Sequence, residues 1–248
     1  MLSRSVSSII PFLMLNSTPE TIAVTRIDLK WDDIDTVFLD MDGTLLDLNY
    51  DNTVWNKRVP QAYAKQRSIS KDEAQKRLLQ HMRQIRGSIE FYSFDYWQDY
   101  TGLDLVALHR SESHLVCYRP GALQFLHWLK ACGKLAVIAT NAHTDSVRVK
   151  DERIAISNEV AGIVSSQQFQ VPKEETAYWE DMQSIYPFDP ARSLFIDDNE
   201  PVLDCAARYG ISHLLSIITP DSQRLGRTNL RYAGFDDFSD IYPGQTVD

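Results

Sequence analysis

The chain is predicted to be α/β, a parallel sheet with helices on both faces and a helical insert after the first strand. Three observations predict it. Short apolar runs alternate with amphipathic segments from Pro120 onward; residues 48–119, between the first strand and that alternation, are mainly helical in character; and 44% hydrophobic content over 248 residues suffices for a packed core.

The elements follow in order. Val37, Phe38 and Leu39 form an apolar run that gives way at Asp40-Met41-Asp42-Gly43-Thr44 to a turn. Ser70-Lys71-Asp72-Glu73 reads as a capping box, and Ala74, Leu78, Met82 and Ile85 continue at helical spacing to Gly87. An aromatic stretch over 89–100, with Phe91, Phe94 and Trp97 three apart, stops at Thr101-Gly102, and Asp104 caps a short helix reaching Leu108. The next helix, 120–132, has Pro near its start and Gly133 past its end. A strand over 135–139 ends at Thr140-Asn141, a helix covers 144–156, and Ile163-Val164 form a short strand. After a helix over 173–185, a strand over 194–196 ends in Asp197-Asp198. The pattern closes with a helix over 201–209 stopped by Gly210, a strand over 213–218, and a final stretch of loop and short helices.

Charge and cysteines narrow the class. The net charge of -9 disfavours a nucleic-acid partner, since phosphate contacts need a basic surface. Residues 48–119 carry 11 Lys and Arg against 8 Asp and Glu, leaving 14 against 26 elsewhere, so a basic insert faces an acidic remainder. Cys117, Cys132 and Cys205 show no metal-ligand spacing and cannot all pair, which points to a reducing, cytoplasmic setting. Residues 1–17, with one Arg and a short apolar run broken by Pro11, imitate a signal peptide only weakly and read as an extension. No stretch is long enough to span a membrane.

Three predicted strands end in polar residues at one edge of the sheet: Asp40 and Asp42, Thr140 and Asn141, Asp197 and Asp198. Lys173 can reach the same edge. Taken singly these are weak, because a strand-end Thr is usually a cap, a lone Lys is usually solvated, and Asp-x-Asp-Gly fits a solvated turn. A calcium loop is excluded, since Thr44-Leu45-Leu46 offers no oxygen ligands at the required spacing. Together they match phosphoryl transfer to a carboxylate, which needs an in-line nucleophile, an acid/base and cations. Asp40 is the nucleophile and Asp42 the proton carrier. Mg²⁺ is expected on Asp40, Asp42 and Asp198. Thr140 and the Asn141 backbone bind phosphate oxygens, and Lys173 offsets the crowded negative charge.

Four segments carry a family resemblance: Phe38-Leu39-Asp40-Met41-Asp42-Gly43-Thr44-Leu45-Leu46-Asp47, Val137-Ile138-Ala139-Thr140-Asn141, Pro172-Lys173, and Leu194-Phe195-Ile196-Asp197-Asp198. In this order they resemble the motifs of the haloacid dehalogenase-like hydrolase superfamily. The resemblance implies a Rossmann-like core over 29–47 and 120–248, a C1-type helical cap over 48–119, and an N-terminal extension over 1–28. Trp31-Asp32-Asp33-Ile34-Asp35, Asp47-Leu48-Asn49-Tyr50-Asp51-Asn52, Asp95-Tyr96-Trp97 with Gly102-Leu103-Asp104, and Thr140-Asn141-Ala142-His143 are further similar to bacterial purine 5'-nucleotidases acting on GMP and IMP. That implies a small phosphorylated substrate, a purine nucleoside monophosphate. The fourth motif departs by its wider spacing to Asp204, so Asp198 is assigned to metal ahead of Asp197, whose part in the ligand set stays open, and Asp204 is left out. In the insert, Arg83 and Arg86 with nearby Phe91, Tyr92 or Trp97 are candidates to meet an anionic or aromatic part of the ligand, but the favoured reading is solvated arginines and core aromatics, so none enters the site. The same motifs also suit a sugar-phosphate phosphatase or mutase. A non-catalytic binding protein is a distant alternative, because such a chain is expected to lose Asp40, Asp42 or Lys173, and all three are present.

Overall fold

The computed structural model describes residues 27–243, so the expected extension lies almost wholly outside them. The first strand, β1 (Thr36–Leu39), is followed by five helices: α1 (Asn49–Thr53), α2 (Val59–Arg67), α3 (Lys71–Gln84), α4 (Phe94–Thr101) and α5 (Leu105–Ser111). A π-helical turn, Val54–Arg58, runs α1 into α2. The chain then alternates through α6 (Ala122–Ala131), β2 (Leu135–Thr140), α7 (Thr144–Ile154), β3 (Gly162–Ser165), α8 (Thr176–Ile185), β4 (Ser193–Asp197), α9 (Glu200–Tyr209), β5 (His213–Ile217) and β6 (Gly234–Phe235).

The strands lie in the order β3-β2-β1-β4-β5-β6, all pairs parallel. Each strand between β1 and β5 is separated from the next by at least one helix, as parallel pairing requires. Pleating divides the apolar residues between two layers. Leu39, Ile138 and Ile196 join the cluster that holds Phe125, Leu126 and Leu129 of α6, while Phe38, Val137 and Phe195 join Trp179 and Met182 of α8 with Val202 and Leu203 of α9.

Register sets the site. Leu39 is level with Ile138 on one side and with Ile196 on the other. The residues that follow, Asp40, Ala139-Thr140 and Asp197, therefore emerge together at the carboxyl edge. The strand order reverses at β1, and open sheets of this kind hold ligands in the crevice beyond such a reversal.

The helical segment is framed by the caps its sequence calls for. Ser70 accepts the Glu73 N–H at 3.2 Å, and Asp104 accepts the Ala107 N–H at 2.9 Å. Where the chain leaves and rejoins the sheet, Leu46 bridges Tyr118 in antiparallel fashion. The Asp47 N–H bonds the Cys117 carbonyl at 3.1 Å and the Arg119 N–H bonds the Leu45 carbonyl at 2.9 Å.

Three expectations shift. The helix read from Lys173 begins at Thr176, because the Lys173 N–H is taken by the Asn141 side chain at 2.9 Å and the chain turns before it coils. The helix read to residue 156 ends at Ile154, where Ala155 turns left-handed (φ 53°). The closing stretch adds a sixth strand of only two residues, β6. Among the described residues no helix is long and apolar enough to cross a membrane.

Candidate active site

β1 ends at a turn whose geometry demands glycine. Gly43 has φ +87°, and a Cβ there would lie 3.0 Å from Cγ and Oδ2 of Asp198 and 3.1 Å from Pro220 Cβ. The turn thus presses against the end of β4. Asp40, Asp197 and Asp198 come together there, with ligand oxygens within 4.8 Å of one another.

Lys173 is 2% exposed and sits inside this group. Its ammonium donates to Asp40 Oδ1 at 2.6 Å, to Asp197 Oδ2 at 2.7 Å and to the Ala139 carbonyl at 3.0 Å. Burial works against that charge, but Asp197 and Asp40 outweigh it and carry the Lys173 pKa well above the usual lysine value. Burial likewise pushes Asp40 and Asp197 above the usual carboxylate range against the pull of Lys173, and burial beside Asp40 brings Asp198 to about 7. Crowded hard oxygens whose mutual repulsion one ammonium does not fully relieve fit a divalent cation.

The grouping of carboxylates differs from the expected metal set of Asp40, Asp42 and Asp198. Asp197 stands in the triplet with Asp40 and Asp198, while Asp42 lines the same cavity outside the triplet. Its Oδ1 lies 2.7 Å from the ammonium of Lys150, an ion pair whose angles fall outside hydrogen-bond geometry, and it has no other partner among the described residues. β1 ends at Leu39 and the chain turns from Met41, and α7 supplies Asp42 with its own cation. Lys150 also donates to Asp51 Oδ1 at 2.9 Å.

The expected phosphate groups, Thr140 and Asn141, line the same cavity but hold other partners. Thr140 Oγ1 accepts the Ala142 N–H at 3.0 Å. Asn141 accepts the Lys173 N–H through Oδ1 and donates through Nδ2 to Glu174 Oε2 at 2.9 Å, fixing the turn that delivers Lys173. The amino terminus of α7, capped by the His143 ring, opens toward this edge and favours an anion. Asp204 is elsewhere, paired with Arg231 and Tyr232.

A cavity of about 780 Å³ rises from the acidic floor. Its wall includes Trp55, Met82, Arg83, Arg86, Phe91, Tyr92 and Trp97 from the helical segment. Arg83 and Arg86, for which the sequence favours solvated side chains over ligand contacts, border the space above Asp40. Tyr92 donates to Glu174 Oε1 at 2.8 Å, joining the helical segment to the residue after Lys173.

Sequence reasoning missed Lys150, Asp51 and Glu174. A signal existed for Lys150: it falls four residues after Ser146 and one after Val149, on the buried face of α7, where a lysine demands a partner.

Residues 37–238 match the model for haloacid dehalogenase-like hydrolases. The chain is 34% identical over 218 residues to the GMP/IMP nucleotidase YrfG of Escherichia coli (strain K12), covering 88% of this chain and 98% of that protein. Among solved structures, a HAD phosphatase from Thermococcus onnurineus aligns with TM-score 0.70 at 19% identity, covering 82% of this chain and 94% of that one. A predicted phosphoglycolate phosphatase from Haemophilus somnus 129pt aligns with TM-score 0.58 at 16% identity over 84% of this chain and 96% of that one. At such identities the structural likeness speaks to fold.

Proposed function

This chain belongs to the haloacid dehalogenase-like hydrolases and is a phosphatase of that family, and from this premise we propose that it hydrolyses purine nucleoside 5'-monophosphates. The observation that carries the chemistry is the floor of the cavity: Asp40 beside Lys173, Asp197 and Asp198, with Asp42 two residues away on a separate lysine. The substrate class rests on likeness to the GMP/IMP nucleotidase across nearly the whole of that relative.

Asp40 attacks phosphorus, forming an acyl phosphate as the bond to the ester oxygen breaks. Asp42 delivers its proton to the departing 5'-oxygen, and the nucleoside leaves. The Asp42 carboxylate then takes a proton from water as that water attacks phosphorus, which frees inorganic phosphate and restores Asp40. Lys173 holds the Asp40 carboxylate at 2.6 Å and limits the repulsion between it and the incoming dianion. Thr140, Asn141 and the start of α7 receive the phosphate oxygens. Asp40, Asp197 and Asp198 would hold Mg²⁺. When bound, that ion supplies charge stabilisation to the transferring phosphoryl group. The helical segment acts as the cap, with Trp55, Phe91 and Tyr92 offering aromatic surface to a base.

The test is a phosphate-release screen across nucleoside monophosphates and sugar phosphates, run with Mg²⁺ and again after chelation. Turnover of IMP and GMP that vanishes on chelation and returns with Mg²⁺ is expected; a preference for sugar phosphates would reject the substrate class.

A further inference from the structure

Lys150 is fully buried, yet it lies in the middle of α7, facing away from solvent and toward the end of β1. An ammonium in that setting is costly unless carboxylates compensate it. Two do: Asp42 at 2.7 Å and Asp51 at 2.9 Å, with the Tyr50 ring 5.4 Å away. Lys150 touches neither Asp40 nor the other members of the acidic triplet. Its two partners come from different parts of the molecule, Asp42 from the turn after β1 and Asp51 from α1 of the helical segment. The Asp42 oxygen that faces Lys150 has no hydrogen-bond partner among the described residues, so this ion pair is what aims the carboxylate.

We infer that Lys150 is a positioning residue for Asp42, fixing the direction from which its carboxyl reaches the departing oxygen, and that Asp51 links this direction to the seating of α1. The inference rests on the reading of Asp42 as proton carrier. A carboxyl held on one side by a buried cation keeps its second oxygen free for the ester. Once released, it samples orientations in which the proton travels too far, and displacement by about 1 Å is enough to cost roughly 100-fold.

Leaving groups separate this role from a merely structural one. Departure of the 5'-alkoxide of IMP needs a proton, whereas 4-nitrophenolate departs without one, and kcat/KM covers only the steps through leaving-group release. In Lys150→Met, kcat/KM for IMP should fall roughly 100-fold, while kcat/KM for 4-nitrophenyl phosphate falls less than about 5-fold. Equal falls for both substrates, or no fall, would overturn the inference. Because Lys150→Met leaves two carboxylates facing each other and can unfold, the same pair of measurements is made on Lys150→Met/Asp51→Asn, which removes one charge of each sign. The selective loss should persist there. Asp42→Asn serves as the reference: if it shows no leaving-group selectivity, the proton-carrier reading and the inference fall together. Selectivity in Asp42→Asn but not in the Lys150 variants overturns the inference alone.

Discussion

On one side of the Asp40-Met41-Asp42 turn Lys173 ties Asp40 to Asp197; on the other Lys150 ties Asp42 to Asp51. The first cluster is drawn from the carboxyl ends of β1 and β4 and the turn before α8, and its carboxylates are 8% and 1% exposed. The second joins the turn to α7 and α1, and its carboxylates are 17% and 16% exposed. Two carboxylates separated by one residue therefore live in different electrostatic settings, one locked within the sheet edge and one shared with the helical segment. Under the proposed mechanism, separate cations suit one group to attack and its neighbour to carry protons.

Asp40→Asn tests the first cluster most severely. Its Mg²⁺-dependent turnover of IMP should drop at least roughly 10³-fold with the fold retained by circular dichroism, the cost of losing a nucleophile. Turnover within tenfold of the parent would remove Asp40 from that role. Next comes stability. Lys173→Met leaves Asp40 and Asp197 buried and uncompensated, at a cost of about 4 kcal/mol in urea unfolding. Lys150→Met should cost less, about 2 to 3 kcal/mol, because water reaches Asp42 and Asp51 more readily. The opposite order would show that burial does not rank the two ion pairs.

His109 of α5 is fully buried against Tyr50, and burial together with the Lys150 charge depresses its pKa from 6.5 to about 3. The folded chain thus keeps this ring neutral while the unfolded chain protonates it below 6.5. His109 therefore contributes stability that is present above pH 6.5 and lost as pH falls toward 3, about 2 kcal/mol by pH 5. Urea unfolding of His109→Gln should show a shallower acid loss than the parent, and parallel curves would exclude the effect. The smallest change is Tyr92→Phe, which deletes the hydroxyl bonded to Glu174 and should weaken IMP turnover by about 1 kcal/mol, near fivefold, in kcat/KM.

Much of the sheet was legible because its central strands are short apolar runs closed by Asp, Thr or Asn, a pattern that needs no tertiary information. β6 escaped because Gly234 and Phe235 are too few to show any period. The gathering of Asp40, Asp198 and Lys173 followed from where their strands and loop end. Which carboxylate faces which lysine did not, since it depends on the turn at Gly43 and on the face of α7. Lys150 looks like any helical lysine until the buried positions at Ser146 and Val149 are placed beside it. Glu174 was equally silent, its partners Tyr92, Asn141 and Asn199 coming from three distant segments.

The paired backbone at Leu45 to Asp47 and Cys117 to Arg119 brings the two ends of the helical segment together. Because the ends of the intervening segment already meet, closing a loop there costs little more for a long segment than for a short one, the penalty growing only with the logarithm of length. A change in the length of what lies between therefore need not alter the register of β1 against β2 and β4.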